Sequence, residues 1–430
     1  MNDLSKLAQS LMELDDQMVA CMKCGMCQAV CPVFAETMQE ADVTRGKIAL
    51  LEKLAHEMVT DADQVNDKLN RCLLCGSCAV NCPSGVKIMD IFIKARVIVT
   101  SYKGLSPAKK LIFKGLLNRP KLFNFLTDMS AKFQGPFARE ADQAAGTASC
   151  AMLNPLLGKR HFMPLTTRPF RKDYPQVDSP RGLSGLKVAF FPGCVVDKMF
   201  PKVGHAAMKI FEHHGVGVFL PKGQACCGIP TLASGDADTF VTLMKQNIKA
   251  FEDGSFDYLV TPCATCTATI HEIWLKMIED EDPIFIEKVK DIADKTMDIT
   301  AFLVDIVGVK AVESKKGGKV VTYHDPCHLS KSLGVTAQPR TLLKKNADYE
   351  FKEMNEANRC CGSGGSFNLY HYDLSKKIGE RKKDNVRAVG AEVAATACPA
   401  CMMQLGDMLS QSGGGVEVKH VLEIYADSLK

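Results

Sequence analysis

The sequence is short of several things, and each shortage closes off a class of protein. No stretch approaches eighteen consecutive apolar residues, so no membrane-crossing helix is expected. The opening MNDLSKLAQSLMELDDQM has neither a basic start nor a long apolar core, which argues against export. Net charge is small: 53 basic residues face 49 acidic ones, and the resulting +4 is too mild to suggest a nucleic-acid partner. No flavin or nicotinamide fingerprint is present, so hydride chemistry would have to come from elsewhere. The expected setting is cytoplasmic and reduced, where clustered cysteines mean metal or redox chemistry rather than disulfides. Cysteine itself is in excess, with 19 in 430 residues.

Eight of these cysteines fall into two copies of one pattern. CMKCGMCQAVCP places Cys21, Cys24, Cys27 and Cys31 before Pro32, and CLLCGSCAVNCP places Cys72, Cys75, Cys78 and Cys82 before Pro83. Each reads C-x2-C-x2-C-x3-C-P, the ferredoxin spacing for a cubane 4Fe–4S cluster. Three thiolates two residues apart can wrap three corners of a cube, while the fourth, in two-cluster ferredoxins, ligates the other cluster. The expected sets are therefore Cys21, Cys24, Cys27 and Cys82 for one cluster, and Cys31, Cys72, Cys75 and Cys78 for the second. Structural zinc is the competing reading. It normally uses cysteine pairs or histidines at longer spacing, and no histidine stands near either quartet.

A chain of this length should hold two to four domains. Residues 1–100 read as a mostly helical two-cluster domain. Leu4, Leu7, Leu11 and Leu14 form a helical stripe, Ile48, Leu51, Leu54, Ala55 and Met58 form another, Asp61 can cap a short helix, and KIMDIFIKARVIV follows Pro83. Residues 101–140 read as a basic helical connector, with eight basic residues against two acidic ones and apolar stripes interrupted at Pro120. That segment is either a solvated face or a dock for a protein partner or membrane. Residues 141–185 carry five prolines without periodicity and read as a linker in which Cys150 is a spare thiol.

Beyond the linker the chain repeats itself. In 186–310, strand-like segments deliver Cys194, then Cys226 and Cys227 before Gly228, then Cys263 and Cys266; in 311–430 the same set is Cys327, Cys360 and Cys361 before Gly362, then Cys398 and Cys401. Strands alternating with helices imply parallel α/β sheets, with the cysteines at the carboxyl ends of strands where such sheets bind ligands. Five thiolates exceed the corners of one cubane or the positions of one zinc ion. Each set therefore leaves one thiol for redox chemistry, holds an irregular cluster with extra sulfur ligation, or binds zinc with one idle cysteine. His324 and His328 flank Cys327 and are read as packing or capping residues, with donation to the second site as the alternative. Gly362, Gly364 and Gly365 lack the context of a dinucleotide loop and are read as close backbone approach to a cluster.

The five-cysteine sets resemble the CCG domain of heterodisulfide reductases, and the whole arrangement resembles the iron–sulfur subunit of glycolate oxidase. Related iron–sulfur subunits serve D-lactate dehydrogenases and anaerobic glycerol-3-phosphate dehydrogenase. Thr44-Arg45-Gly46-Lys47-Ile48 is similar to the glycolate-oxidase branch. The resemblance implies a multidomain α+β protein in which a two-cluster ferredoxin domain precedes two CCG repeats. It also implies a non-cubane 4Fe–4S assembly in each five-cysteine set and a flavin on a separate 2-hydroxyacid dehydrogenase subunit. Electrons would then pass one at a time to a quinone or other carrier. The rival activity is disulfide reduction at the CCG sites.

Overall fold

The computed structural model describes residues 3–150, 159–312 and 317–429. Among the described residues, the N-terminal hundred are helical and carry no strand. Helices Asp3–Met12 and Asp15–Val19 divide the first predicted stripe, burying Leu7, Leu11, Leu14 and Met18. Helix Thr44–Ala55 buries Ile48, Leu51 and Leu54 against them, while Met58 lies beyond its end and is exposed. Asp61 caps Ala62–Asn70 by accepting from the Gln64 amide at 3.0 Å. The long helix Ile88–Lys103 closes the domain.

Arg96 of that helix ties the ferredoxin half to the first repeat. Its buried guanidinium donates to the carbonyls of Leu69 and Cys72 at 2.7 and 2.8 Å and to Ala233 at 2.8 Å. Three backbone acceptors from two domains are thus satisfied by one planar fork, a geometry lysine cannot supply.

The segment 101–140 is helical as far as Phe133, and its second helix is inside out. Pro107–Lys110 runs into Leu111–Leu117, and Pro120 opens a second helix, Pro120–Phe133. On the latter, Asn124 Oδ1 accepts from Lys198 Nζ at 2.6 Å and Asp128 pairs with Arg171 and Lys172, so the polar face is the one held by the body of the protein. Leu122, Phe125, Leu126, Met129 and Phe133 share the opposite face and are exposed, Phe125 at 60% and Phe133 at 63%.

The stretch read as a linker is more structured than its prolines suggested. Strands β1 (Arg139–Asp142) and β2 (Thr147–Ser149) form a hairpin. Further on, β3 (Val177–Asp178) pairs antiparallel with the first large sheet, which therefore begins before residue 186. His161 anchors the segment to helix Pro399–Gln411, its amide donating to Asp407 at 2.9 Å and its Nδ1 meeting Ser410 Oγ at 2.7 Å.

The two repeats share a topology. The first sheet runs β3–β5–β4–β6–β7, where β4 is Lys187–Phe190, β5 Gly217–Leu220, β6 Tyr258–Thr261 and β7 Thr296–Asp298. The second runs β9–β8–β10–β11, where β8 is Lys319–His324, β9 Tyr349–Phe351, β10 Val393–Thr396 and β11 Glu417–His420. Apart from β3 every pairing in these sheets is parallel. Taken in chain order within each repeat, the strands stand second, first, third, fourth. The order reverses beside the first strand, and the cysteines gather outside the carboxyl ends there, as in other open α/β sheets that bind ligands.

Candidate metal centres

The two ferredoxin quartets fold alike because their backbones bend alike. Lys23 and Leu74, each just before the second cysteine, take φ of 56° and 51°, and Gly25 and Gly76, each just after it, take 91° and 71°. Left-handed residues on both sides of Cys24 and Cys75 curl the loop so that its amides line a concave surface. Cys31 leaves its own loop: it caps helix Pro32–Thr37, its sulfur accepting from the Phe34 amide at 3.4 Å, with Pro32 at the helix start. One cavity brings together Cys21, Cys24, Cys27 and Cys82. A second brings together Cys31, Cys72, Cys75 and Cys78, with Cys78 also lining the first. The last cysteine of each quartet therefore stands with the other quartet's first three.

The environment favours a metal over free thiols. Burial pushes the Cys31 thiol up to about 11 and raises Cys27 and Cys78 as well. Bare thiolates would be costly there, whereas a metal neutralises them on binding. Lys47 reaches into the second cavity fully buried, its ammonium held by the Asp42 carbonyl. No histidine lines either cavity.

The ten CCG cysteines form one continuous array. Glycine follows each adjacent pair because the turn demands it: Gly228 and Gly362 have φ of 95° and 91°. A Cβ at Gly228 would lie 2.6 Å from Phe240, and one at Gly362 2.6 Å from the Ser375 carbonyl. In the first repeat Cys194 and Cys226 sulfurs lie 3.7 Å apart, and Cys227 interacts with Cys226 and Cys266. Cys266 adjoins Cys263, and Cys263 adjoins Cys398 of the second repeat. From there the line runs through Cys401 and Cys361 to Cys360 and Cys327, both of which meet Cys75 of the ferredoxin domain. Thiols on each side hold Cys227, Cys398, Cys361 and Cys75 well below the ordinary cysteine range by donating to them.

The spacing predicts two separate five-cysteine sites. The structure instead places them back to back. The Ala264 amide donates to the Ala397 carbonyl at 3.2 Å, Thr265 Oγ1 lies 3.5 Å from Cys398 Sγ, and His328 Nδ1 meets Thr265 Oγ1 at 3.2 Å. His420 of β11 crosses the same boundary with Nε2 2.9 Å from the Pro262 carbonyl, and burial lowers it to about 4, so it is neutral. His328 is thus a strut between repeats, while His324 is buried with its Nδ1 3.2 Å from the Ala357 carbonyl. The glycine loop after Cys361 packs on the ferredoxin domain: a Cβ at Gly364 would lie 2.6 Å from Leu73. Cys150 is buried but lines neither ferredoxin cavity.

Several supporting residues carry no motif. Asn247 accepts from the Ala225 amide at 2.8 Å and donates to the Cys226 carbonyl at 3.0 Å, and the single tryptophan, Trp274, donates to the Cys227 carbonyl at 3.0 Å. At the second site Ser375 donates to Gly362 at 2.8 Å, and Lys331 spans Ser77 Oγ at 2.5 Å and Cys327 Sγ at 3.9 Å. Most of these contacts join residues that no sequence motif links, and only the lone tryptophan stood out in composition.

This frame defines an iron–sulfur protein in which a two-cluster ferredoxin domain precedes two cysteine-rich α/β domains. The family described as a 4Fe-4S dicluster domain matches residues 17–86, and the cysteine-rich CCG domain matches 188–271 and 321–406. The chain is 32% identical to the probable glycolate oxidase iron-sulfur subunit of Bacillus subtilis, over 96% of this chain and 94% of that one. It is 27% identical to a fumarate reductase (CoM/CoB) subunit of Methanothermobacter marburgensis, over 94% of this chain and 71% of that protein. Lactate utilization protein A 2 of Bacillus cereus is 34% identical over 57% of this chain and 99% of its own length. The chain belongs to the glycolate oxidase iron–sulfur subunit family, and it is an electron-transfer subunit of an oxidoreductase complex. No helix among the described residues is long and apolar enough to cross a membrane.

Proposed function

We propose that the chain carries electrons from the flavin of a partner 2-hydroxyacid dehydrogenase, acting on glycolate or lactate, to a quinone or other membrane carrier. Cys21, Cys24, Cys27 and Cys82 ligate the first cubane cluster, and Cys31, Cys72, Cys75 and Cys78 the second. Cys194, Cys226, Cys227, Cys263 and Cys266 hold a third centre, and Cys327, Cys360, Cys361, Cys398 and Cys401 a fourth. When bound, such clusters accept and release electrons singly, which a two-electron oxidation of substrate requires of its acceptors. The chain's own residues fix the sulfurs, bury them, and supply cations beside them: Lys47 at the second centre and Lys331 between the second and fourth. The observation that carries the reading is the unbroken line of cysteines from Cys75 through the second repeat to the first, beginning next to the quartet that contains the exposed Cys24. The isolated chain is expected neither to bind flavin nor to oxidise glycolate or lactate, and to copurify with a flavoprotein that does; flavin bound tightly to the lone chain would refute this. The abutment of Cys263 on Cys398 also suits thiol–disulfide chemistry between the repeats, and turnover of a thiol heterodisulfide by the chain would favour that rival.

The outward apolar stripe of helix Pro120–Phe133 supports a membrane as the place of delivery. Leu111, Ile112 and Phe137 extend the exposed apolar surface, and Lys110, Lys121 and Lys132 border it. Apolar side chains flanked by lysines suit an anionic lipid interface, where each basic residue contributes about 1 kcal/mol until salt screens it. Lys109 and Lys114 contribute less than their sequence position suggested, because Lys109 lies over the Tyr370 ring and Lys114 pairs with Asp238 at 3.6 Å. Replacing Phe125 and Phe133 by serine should abolish binding to anionic liposomes while complex assembly continues. Intact liposome binding with failed assembly would make the stripe a protein dock.

A further inference from the structure

The two CCG repeats differ by one donor. The register of β4 on β6 pairs Phe190 with Val260, which puts Phe191 opposite Thr261; the register of β8 on β10 pairs His324 with Thr396. Phe191 and His324 therefore occupy the same place, three residues before Cys194 and Cys327 respectively. Both are fully buried. The first repeat fills this place with a phenyl ring and the second with an imidazole.

The imidazole is held as a metal ligand would be. Its Nδ1 lies 3.2 Å from the Ala357 carbonyl, which can only accept, so Nδ1 carries the hydrogen and Nε2 is left with a lone pair. The Ala357 carbonyl is itself fixed, accepting from the Asp325 amide at 3.0 Å and from buried Lys382 at 3.2 Å. An imidazole with one nitrogen bonded to a backbone carbonyl and the other free is the usual arrangement of a metal-bound histidine. Nε2 has no hydrogen-bond partner although it is buried. Among the described residues, His324, Cys361 and Cys401 form the one group whose ring nitrogen and sulfurs all lie within 4.8 Å of one another. A buried ring nitrogen facing two cysteine sulfurs is a place that an electrophile held between them would satisfy.

We propose that Nε2 of His324 ligates an iron of the second CCG centre beside Cys361 and Cys401, giving that centre mixed nitrogen and sulfur ligation while the first is held by sulfur alone. The proposal rests on the reading that the second CCG set holds an iron–sulfur centre. Its test is pulsed EPR on the anaerobically purified holoprotein, grown with ¹⁴N- or ¹⁵N-histidine, with iron and sulfide measured on the same samples. The ferredoxin cavities contain no histidine, so they contribute no histidine background. The expected result is a nitrogen coupling on one CCG signal that changes with the isotope, persists in His328→Asn and is lost in His324→Phe. Phenylalanine is the residue the first repeat tolerates at this place; should that variant not fold, His324→Gln and the wild-type isotope comparison carry the test. Full iron content without any isotope-sensitive coupling, or a coupling that survives His324→Phe, overturns the proposal alone. Iron confined to about eight atoms per chain, the content of two cubanes, overturns the underlying reading together with it.

Discussion

The first and second CCG repeats have the same strand order and the same cysteine frame, yet they sit in different company. The first is enclosed by its own neighbours: Phe191, the amide of Asn247 and the indole of Trp274. The second is polar and shared. Lys331, Lys382 and His324 surround it, and Cys327 and Cys360 touch Cys75 of the ferredoxin domain. Duplication preserved what holds the sulfurs, the strand ends and the glycine turn, while the surroundings diverged. The difference gives the chain a direction, because cysteines of the second repeat meet Cys75 of the ferredoxin domain.

The largest expected effect breaks that abutment. Cys31→Ser should remove the centre of Cys72, Cys75 and Cys78, about four irons, and cut the second repeat off from its neighbour, leaving the Cys21 centre's spectrum intact. Loss of the Cys21 centre alone would show each quartet to be self-contained. Next come the glycine turns. Gly228→Ala and Gly362→Ala both force alanine to positive φ, costing about 1–2 kcal/mol. At Gly362 the new methyl meets a backbone carbonyl, whereas at Gly228 it meets a phenyl ring, a side chain and not the backbone. Chemical denaturation should therefore find Gly362→Ala the more damaging, and equal losses would contradict the two environments.

A smaller effect concerns charge. Burial works against the Lys331 ammonium, but Cys327, Cys75 and Cys360 outweigh it and hold its pKa above the usual range, so it stays charged. Positive charge favours the reduced state of a nearby centre. Lys331→Met should lower the potential of the second CCG centre by on the order of 50 mV and leave the first unmoved, as read by EPR-monitored redox titration. Equal shifts at both centres would erase the polarity between the repeats.

The smallest effect is at the seam between them. His214, after helix Pro201–His213, contacts Tyr425 of helix Val421–Asp427 at 2.8 Å, and burial, then His213 and Lys345, lower its pKa. The unfolded chain then binds the proton more readily than the folded one. Stability should be intact above about pH 6.5 and decline as pH falls below it. His214→Phe should flatten that slope in thermal melts between pH 7 and 5, and an unchanged slope would place the titrating group elsewhere.

Much of this was legible in the sequence because cysteine spacing is local. A C-x2-C-x2-C-x3-C-P run states its own loop, and the CCG pairs mark the turns where only glycine fits. The helices at Ala62–Asn70 and Ile88–Lys103 followed from the Asp61 cap and the apolar run after Pro83. What periodicity could not convey was which way a stripe faces: Leu122, Leu126 and Met129 look like a core stripe and are exposed, because Asn124 and Asp128 bond inward. Nor could it show that Cys263 reaches Cys398 or that Cys75 reaches Cys327, since those contacts depend on how domains dock. β3 was hidden by its two-residue length among prolines.

The proposed function requires all four cysteine constellations to hold iron–sulfur centres in one electron path. Its most direct test is the quantification of iron, acid-labile sulfide and zinc in the chain purified without oxygen. About sixteen irons with matching sulfide and no stoichiometric zinc are expected. About eight irons accompanied by one or two zinc ions would contradict it, leaving the CCG repeats as structural zinc domains beside a two-cluster ferredoxin.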